Sequence, residues 1–508
     1  MFLNRILFGG GILMVAFRKA VTKTSAIIIA AIVLIIIAAV AGYYAGLSTA
    51  PTPASPTTVT TVTTVTTVTT VSPSPTATPV AKQLIIYHWW TAGGEREAID
   101  AVFKVFKEDY PDVEIVENPV AGGAGAVMKA VIWGLLASGT PPDTFQVHAG
   151  GELKEYVDAG YLAPVDDVWK DMGLENVIPS TLQAMCKFNG HYYAVPINVH
   201  RSNVLWYNPK IFEELGIVDR FGDPRTWDLN TFLDVARYIK ENKPDVAPVA
   251  LATRNKWPLT HLFEVLLVLH GGPETYVKFW TGKFDYKNPN DPVWAAVRDV
   301  LKTIAIMAKE GLFNSNHPEL TWDQAAALVY QGKAAMYVHG DWVAGYFMSV
   351  GAKYGEEWSA APFPKAIFVL LSDSFNLPKG APHTEVAMNW LKVVASPEAQ
   401  ENFNLIKGSI PARTDVSPEY PDPYRPETAD DFKKSTLVPS AVHGGISKEA
   451  FVTEMHNILT SLVTSAAAGA DVDTTVNAAI QQTMQAVERS GVVGFWEGYT
   501  IDYFITKR

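Results

Sequence analysis

The first strong pattern is "SAIIIAAIVLIIIAAVAGYYAGL", Ser25 to Leu47, an uncharged apolar run long enough to cross roughly 30 Å of hydrocarbon as one helix. Arg5, Arg18, Lys19 and Lys23 precede it, and the next charged side chain is Lys82. That asymmetry predicts a cytoplasmic N-terminus and an exported remainder. A cleaved leader is the rival reading, and it also exports the rest. The Thr-Thr-Val repeat that follows has period three, where a strand needs two, and prolines bracket it. It reads as an extended Ser/Thr/Pro-rich stalk.

After Lys82 the pattern changes to that of a folded α/β body. "QLIIYHWW" predicts a strand, "TAGGE" a glycine loop, and "REAIDAVFKVFKEDYPDVEIVE" a helix and a second strand. This is the crossover unit of a parallel sheet, whose ligands lie beyond the carboxyl ends of its strands. "VMKAVIWGLLASGTPPDTFQVHAGGEL" repeats it, so Trp89, Trp90, Glu95, Gln146 and His148 all fall on that side. "HYYAVPINVHRSNVLWYNPKIFEELGI" reads as strand, break at Pro196, strand and helix. "TWDLNTFLDVARYIKEN", "VWAAVRDVLKTIAIMAKEG" and "TWDQAAALVYQGKAAMYVHGDWVAGYF" read as helical, "IFVLLSDSFNLP" as a short strand, and the tail from Lys448 as mostly helical.

Composition narrows the reading. A chain of 508 residues with so long a folded part predicts two lobes. The one cysteine, Cys186, forbids an intramolecular disulfide, so packing must supply stability. A net charge of −11, spread through the chain, argues against a nucleic-acid partner. Fourteen Trp and twenty Tyr supply the aromatic faces that carbohydrate binding needs, although most must be core.

Signs of catalysis are missing. There is no Gly-x-Ser-x-Gly elbow, zinc-binding His-Glu-x-x-His or phosphate-cradling loop. "GGAGAVMK" lacks the spacing and reads as a loop before a helix. Glu95 and Asp373 can be imagined as a glycosidase pair, yet acidic residues are common.

The stretches "PPDTFQVHAGGEL", "YAVPINVHRSNVLWYN", "TWDQAAALVYQGKAAMYVHGDWVAGY", "LLSDSFNLPKGA", "FNLIKGSIPAR" and "SAVHGG" resemble, in this order, extracellular solute-binding proteins of carbohydrate ABC importers. The nearest likeness is to glucose-binding proteins of thermophilic prokaryotes, and it runs from about Gln83 to about Ser490. An anchor followed by a Ser/Thr-rich linker looks like archaeal members of the family.

The resemblance implies an α/β, two-lobed periplasmic-binding-protein-like fold, each lobe a sheet flanked by helices, with the ligand cleft between lobes. The expected division is 1–24 a cytoplasmic segment or leader, 25–47 the anchor and 48–82 the stalk. Lobe I then takes 83–196 plus 370–405, and lobe II takes 197–369 plus 406–508. The implied ligand is a monosaccharide, glucose first. The implied partners are permease subunits with a cytoplasmic ATPase, and the membrane through the anchor, with no cofactor or metal and no chemistry on the sugar.

Carried over residue by residue, the implied ligand-binding set is Trp89, Trp90, Glu95, Gln146, His148, Trp322, Trp342, Asp373, Lys407 and His443. The loop before Glu95 is one residue longer than the family pattern. Such a set suits a hexose, whose hydroxyls donate to carboxylates and accept from Lys and amides, and whose C–H faces lie on Trp.

Each residue also has a plainer role. Trp322, like Trp227, can staple a helix cap, and Trp90 and Trp342 can be core. His148 and His443 can be satisfied internally, Lys407 can end a helix, and Asp373 can cap a turn. Asn198 and Arg201 near the crossing suit the cleft, but an inter-lobe salt bridge suits Arg201 as well. A surface glycosidase or lyase, or an adhesin without a permease, remain the alternatives.

Overall fold

The structure is a computed structural model, and it describes residues 82–91, 93–122 and 125–507. The expected anchor, and the expected stalk up to residue 81, lie outside them. Among the described residues no helix is long and apolar enough to cross a membrane.

The first sheet has the strand order Glu114–Pro119, Gln83–His88, Thr144–His148, Asp373–Asn376, Ala194–Pro196. Its first three strands are parallel, and Asp373–Asn376 runs antiparallel to both neighbours. The Gly93–Asp109 helix makes the expected crossover. It buries Ile99, Val102, Phe103 and Phe106 at helical spacing, each side chain stabilising by about 1.5–3 kcal/mol. The Pro397–Lys407 helix lies along it, and Thr384–Val394 packs on the same sheet. Both expected strands of "QLIIYHWW" and "TFQVH" are present.

The second sheet runs Ser359–Pro362, Val204–Tyr207, Ala334–His339, Ala247–Val249. Here the structure corrects the sequence reading of "TWDQAAALVYQGKAAMYVHGDWVAGYF" as helical throughout. It is a helix, Trp322–Tyr330, then the strand Ala334–His339, then a second helix, Trp342–Ser349. The strand is buried along its whole length, so its apolar run carries no alternation and cannot be told from a buried helix by period. Gly332, at φ 69°, makes the turn that ends the first helix.

A third, small sheet lies where the chain passes between the other two: Ile410–Pro411, Asn198–Arg201, Ile367–Leu371, Thr436–Pro439. Ala194–Pro196 in the first sheet leads directly to Asn198–Arg201 in the third, and Ile367–Leu371 leads back to Asp373–Asn376. The single expected strand in "IFVLLSDSFNLP" is thus two strands, one in each sheet. The fold is two-lobed α/β, with helices Glu449–Ala467 and Val472–Arg489 packed on Pro292–Lys309 behind the second sheet. Cys186 is buried and unpaired.

Candidate ligand-binding site

At the carboxyl end of the first sheet a cavity of about 290 Å³ opens toward the second. Trp89 and Trp90 follow the Gln83–His88 strand and both reach its wall. Trp90 is also core, its ring 4.9 Å from that of Phe403. The Trp89 ring stands 4.8 Å from that of His148.

Asp373 begins its strand directly opposite His148. Its Oδ1 accepts from Gln146 Nε2 at 2.9 Å and its Oδ2 from Asn198 Nδ2 at 2.8 Å. Burial alone would raise this carboxyl, but the nearby His148, His200 and Lys407 and the Asn198 amide bring it below its ordinary value. Asp373 is therefore a charged acceptor held rigidly at the cavity wall. Gln146 lies behind it and does not line the cavity. Its Oε1 accepts from the Trp89 backbone N–H at 3.1 Å, so the amide ties two lining residues together.

Lys407, the last residue of its helix, reaches across to Glu95 in the first turn of Gly93–Asp109, Nζ to Oε1 3.1 Å. Burial pushes the Glu95 carboxyl up, with Lys407 opposing it. His148 Nδ1 lies 2.7 Å from Glu152 Oε2, and Lys129 holds the same carboxylate at 3.0 Å. Burial works against the Glu152 charge, yet Lys129 and His148 hold it down to about 2.

The opposite wall comes from the second sheet. Trp322 is the first residue of its helix, behind a capping box of Thr321 and Gln324, and its ring meets Tyr346 edge-on at 5.9 Å. Trp342 opens the next helix and presents its ring to His443 at 4.9 Å. A side chain at Gly340 would occupy the space the Trp342 ring uses. His443 sits on the loop after Thr436–Pro439. That loop lies on the glycine turn of "HAGGEL": Gly151 N–H donates to Gly445 O at 3.0 Å and Glu152 N–H to Gly444 O at 2.8 Å.

The structure thus brings every residue of the expected set to this one cavity except Gln146, which braces it. Asn198 also braces, through Asp373. Arg201 is elsewhere: fully buried, it pairs with Asp431 at 2.7 Å and lies over Phe368. The sequence reading missed Asn255, Trp257, Asp323 and Tyr346 as lining residues. Asp323 and Tyr346 sit inside stretches already singled out, whereas nothing in "RNKWP" marks Asn255 or Trp257. The loop of Gly122, read as structural, also reaches the cavity. Among the described residues no group of His, Cys, Asp and Glu side chains is arranged to hold a metal ion.

Indole faces, a carboxylate and an ammonium around a small cavity can hold a neutral polyol. Comparison with known proteins agrees. Residues 92–401 match the family described as bacterial extracellular solute-binding protein. An ABC transporter extracellular-binding protein of Pyrococcus horikoshii is 44% identical over 395 residues, covering 77% of this chain and 86% of that one. The xylose/arabinose-binding protein XacG of Haloferax volcanii is 32% identical over 370 residues, covering 72% and 77%. In structure, the bacterial solute receptor AcbH, described with an exclusive preference for β-D-galactopyranose, superposes with a TM-score of 0.66. It shares 16% identity, and the match covers 80% of this chain and 99% of that one.

Proposed function

The chain belongs to the bacterial extracellular solute-binding protein family, and from that premise we propose that it is a membrane-tethered receptor of an ABC importer. It captures one monosaccharide, glucose first, between its lobes and delivers it to permease subunits driven by a cytoplasmic ATPase. The anchor at 25–47 and the stalk at 48–82 keep it at the outer face of the membrane. Lobe I takes 83–196 plus 370–405, and lobe II takes 197–369 plus 406–508.

The observation that carries the reading is the cavity of about 290 Å³ with Trp322 and Trp342 on one wall and Asp373 and Lys407 on the other. That volume is near the lower end of the roughly 300–1,000 Å³ typical of ligand pockets, which favours a single sugar over a chain of them. The walls divide the work as a pyranose requires. Indole faces take its C–H surface, Asp373 and Glu95 accept from hydroxyls, and Lys407 donates. The receptor does no chemistry on the sugar.

Calorimetric titration of the full-length protein with glucose, galactose, mannose, xylose and maltose tests this. The expected result is one-to-one binding of a monosaccharide, returned unchanged, and lost in Asp373→Ala and Trp342→Ala proteins that still fold. Hydrolysis of an oligosaccharide, or no sugar bound by a folded protein, would sink it.

A further inference from the structure

Behind His443 a chain of imidazoles leads away from the cavity. His261, on the Trp257–Thr281 helix, is fully buried, and its Nε2 lies 2.9 Å from the Ser202 carbonyl oxygen. A carbonyl oxygen only accepts, so His261 Nε2 carries the hydrogen. Burial holds the His261 ring down to about 3. At neutral pH it is uncharged, and its Nδ1 is a bare lone pair.

That Nδ1 lies 3.1 Å from His443 Nε2, which must therefore be the donor. The Glu264 carboxylate, 4.0 Å from the same Nδ1, is beyond hydrogen-bond reach. It is engaged instead by Tyr276, Ser440 and the Ala441 backbone. Rings of His339, Trp257 and Trp342 fill the other sides of His261. Burial also holds His443 well below the usual imidazole value, so its single hydrogen is the one on Nε2. Across the ring, its Nδ1 has no protein partner among the described residues, and His443 lines the cavity.

We infer that His261 is a positioning residue: by holding the hydrogen of His443 on Nε2, it makes His443 Nδ1 a fixed acceptor for one ligand hydroxyl. The tautomer follows from the Ser202–His261–His443 chain alone, whereas the ligand's identity as a sugar rests on the receptor reading above. The hydroxyl that meets His443 must donate. A sugar with hydrogen, fluorine or an ether oxygen at that position loses the bond, and one with a free hydroxyl there keeps it.

Two measurements test this. The first is a long-range proton–nitrogen correlation spectrum of full-length protein labelled with ¹⁵N-histidine, its signals assigned with His261→Gln and His443→Gln. The expected result is two neutral rings, each with its hydrogen on Nε2. A hydrogen on His443 Nδ1, or a charged His261, overturns the inference and requires no ligand to do so.

The second measurement titrates wild type and His261→Phe with glucose and its monodeoxy and monodeoxyfluoro analogues. Wherever a hydroxyl donates, at Asp373 and Glu95 as at His443, both analogues should lose affinity by on the order of tenfold; the position that meets His443 is the one whose pair is indifferent to His261. His261→Phe should weaken glucose by a similar factor and leave that one pair of analogues unchanged. A uniform loss across all analogues, or none, marks His261 as merely structural and overturns the assignment. If no sugar binds at all, the receptor reading falls, and the nitrogen shifts alone decide the histidine assignment.

Discussion

Asp373 shows how one side chain serves both wall and ligand. Two amides, from Gln146 and Asn198, saturate one lone pair on each of its oxygens and hold it charged, leaving capacity for a hydroxyl. Asp373→Asn keeps the shape and removes the charge. It is expected to weaken sugar binding by on the order of tenfold to a hundredfold, the value of a hydrogen bond to a charged group, as read by calorimetry. Glu264 shows the opposite balance. Burial pushes its carboxyl from 4.5 up to about 7 against donors from Tyr276, Ala441, Val442 and Ser440. A carboxyl whose native pKa is raised favours folding while protonated. Its contribution is full below about 4.5 and lost as pH rises through about 7, a swing on the order of 3 kcal/mol. Glu264→Gln should therefore flatten the fall in melting temperature between those pH values, measured by circular dichroism. Unchanged pH dependence in the variant would count against this balance.

At the scale of elements, what sets the site is how closely loops and helices approach. The turn at Gly150 has φ 106°, and a Cβ there would run into the Gly445 carbonyl oxygen. This contact seats the His443 loop on the start of the Gly151–Asp158 helix. Gly150→Ala combines backbone strain with overpacking, each typically worth 1–3 kcal/mol. A thermal or urea melt should show a loss of roughly 2–5 kcal/mol, and a loss under about 0.5 kcal/mol would mean the loops are not locked together. The Ala334–His339 strand teaches the complementary lesson. Its alanines and aromatic residues are compatible with a helix locally, and only its place between Val204–Tyr207 and Ala247–Val249 makes it a strand. By contrast, the Leu229–Asn242 helix was legible from "TWDLNTF" because Asp228 caps it through the Thr231 N–H at 2.7 Å, a local interaction.

At the scale of the whole molecule, the Trp342–Ser349 helix, which follows a strand of the second sheet, touches the Pro397–Lys407 helix, which lies along Gly93–Asp109 on the first. A Cβ on Gly345 would stand 2.5 Å from the Lys407 carbonyl oxygen, closer than packed atoms allow. Gly345→Ala is expected to fold normally, to hold the lobes apart, and to bind sugar at least tenfold more weakly. Small-angle scattering should show that added sugar no longer compacts it, and wild-type compaction would refute the role of this contact. Much of the architecture was legible in the sequence: the strand–loop–helix periods predicted the first sheet, and the ordered motifs pointed to the family. Local physics suffices there, because amphipathic period, caps and glycine turns act over a few residues. The cavity wall was only partly legible. Asn255 and Trp257 enter it from a stretch with no local signal, and Gln146, paired with Phe375 across the sheet, lies behind it because its amide reaches Asp373 on the neighbouring strand. Which nitrogen of His443 carries hydrogen depends on Ser202 and His261, both far away along the chain. The sequence by itself determined the local elements and the family pattern. Only the tertiary structure decided which side chains share one cavity and in which protonation form, because sheet register and burial join segments that no local interaction connects.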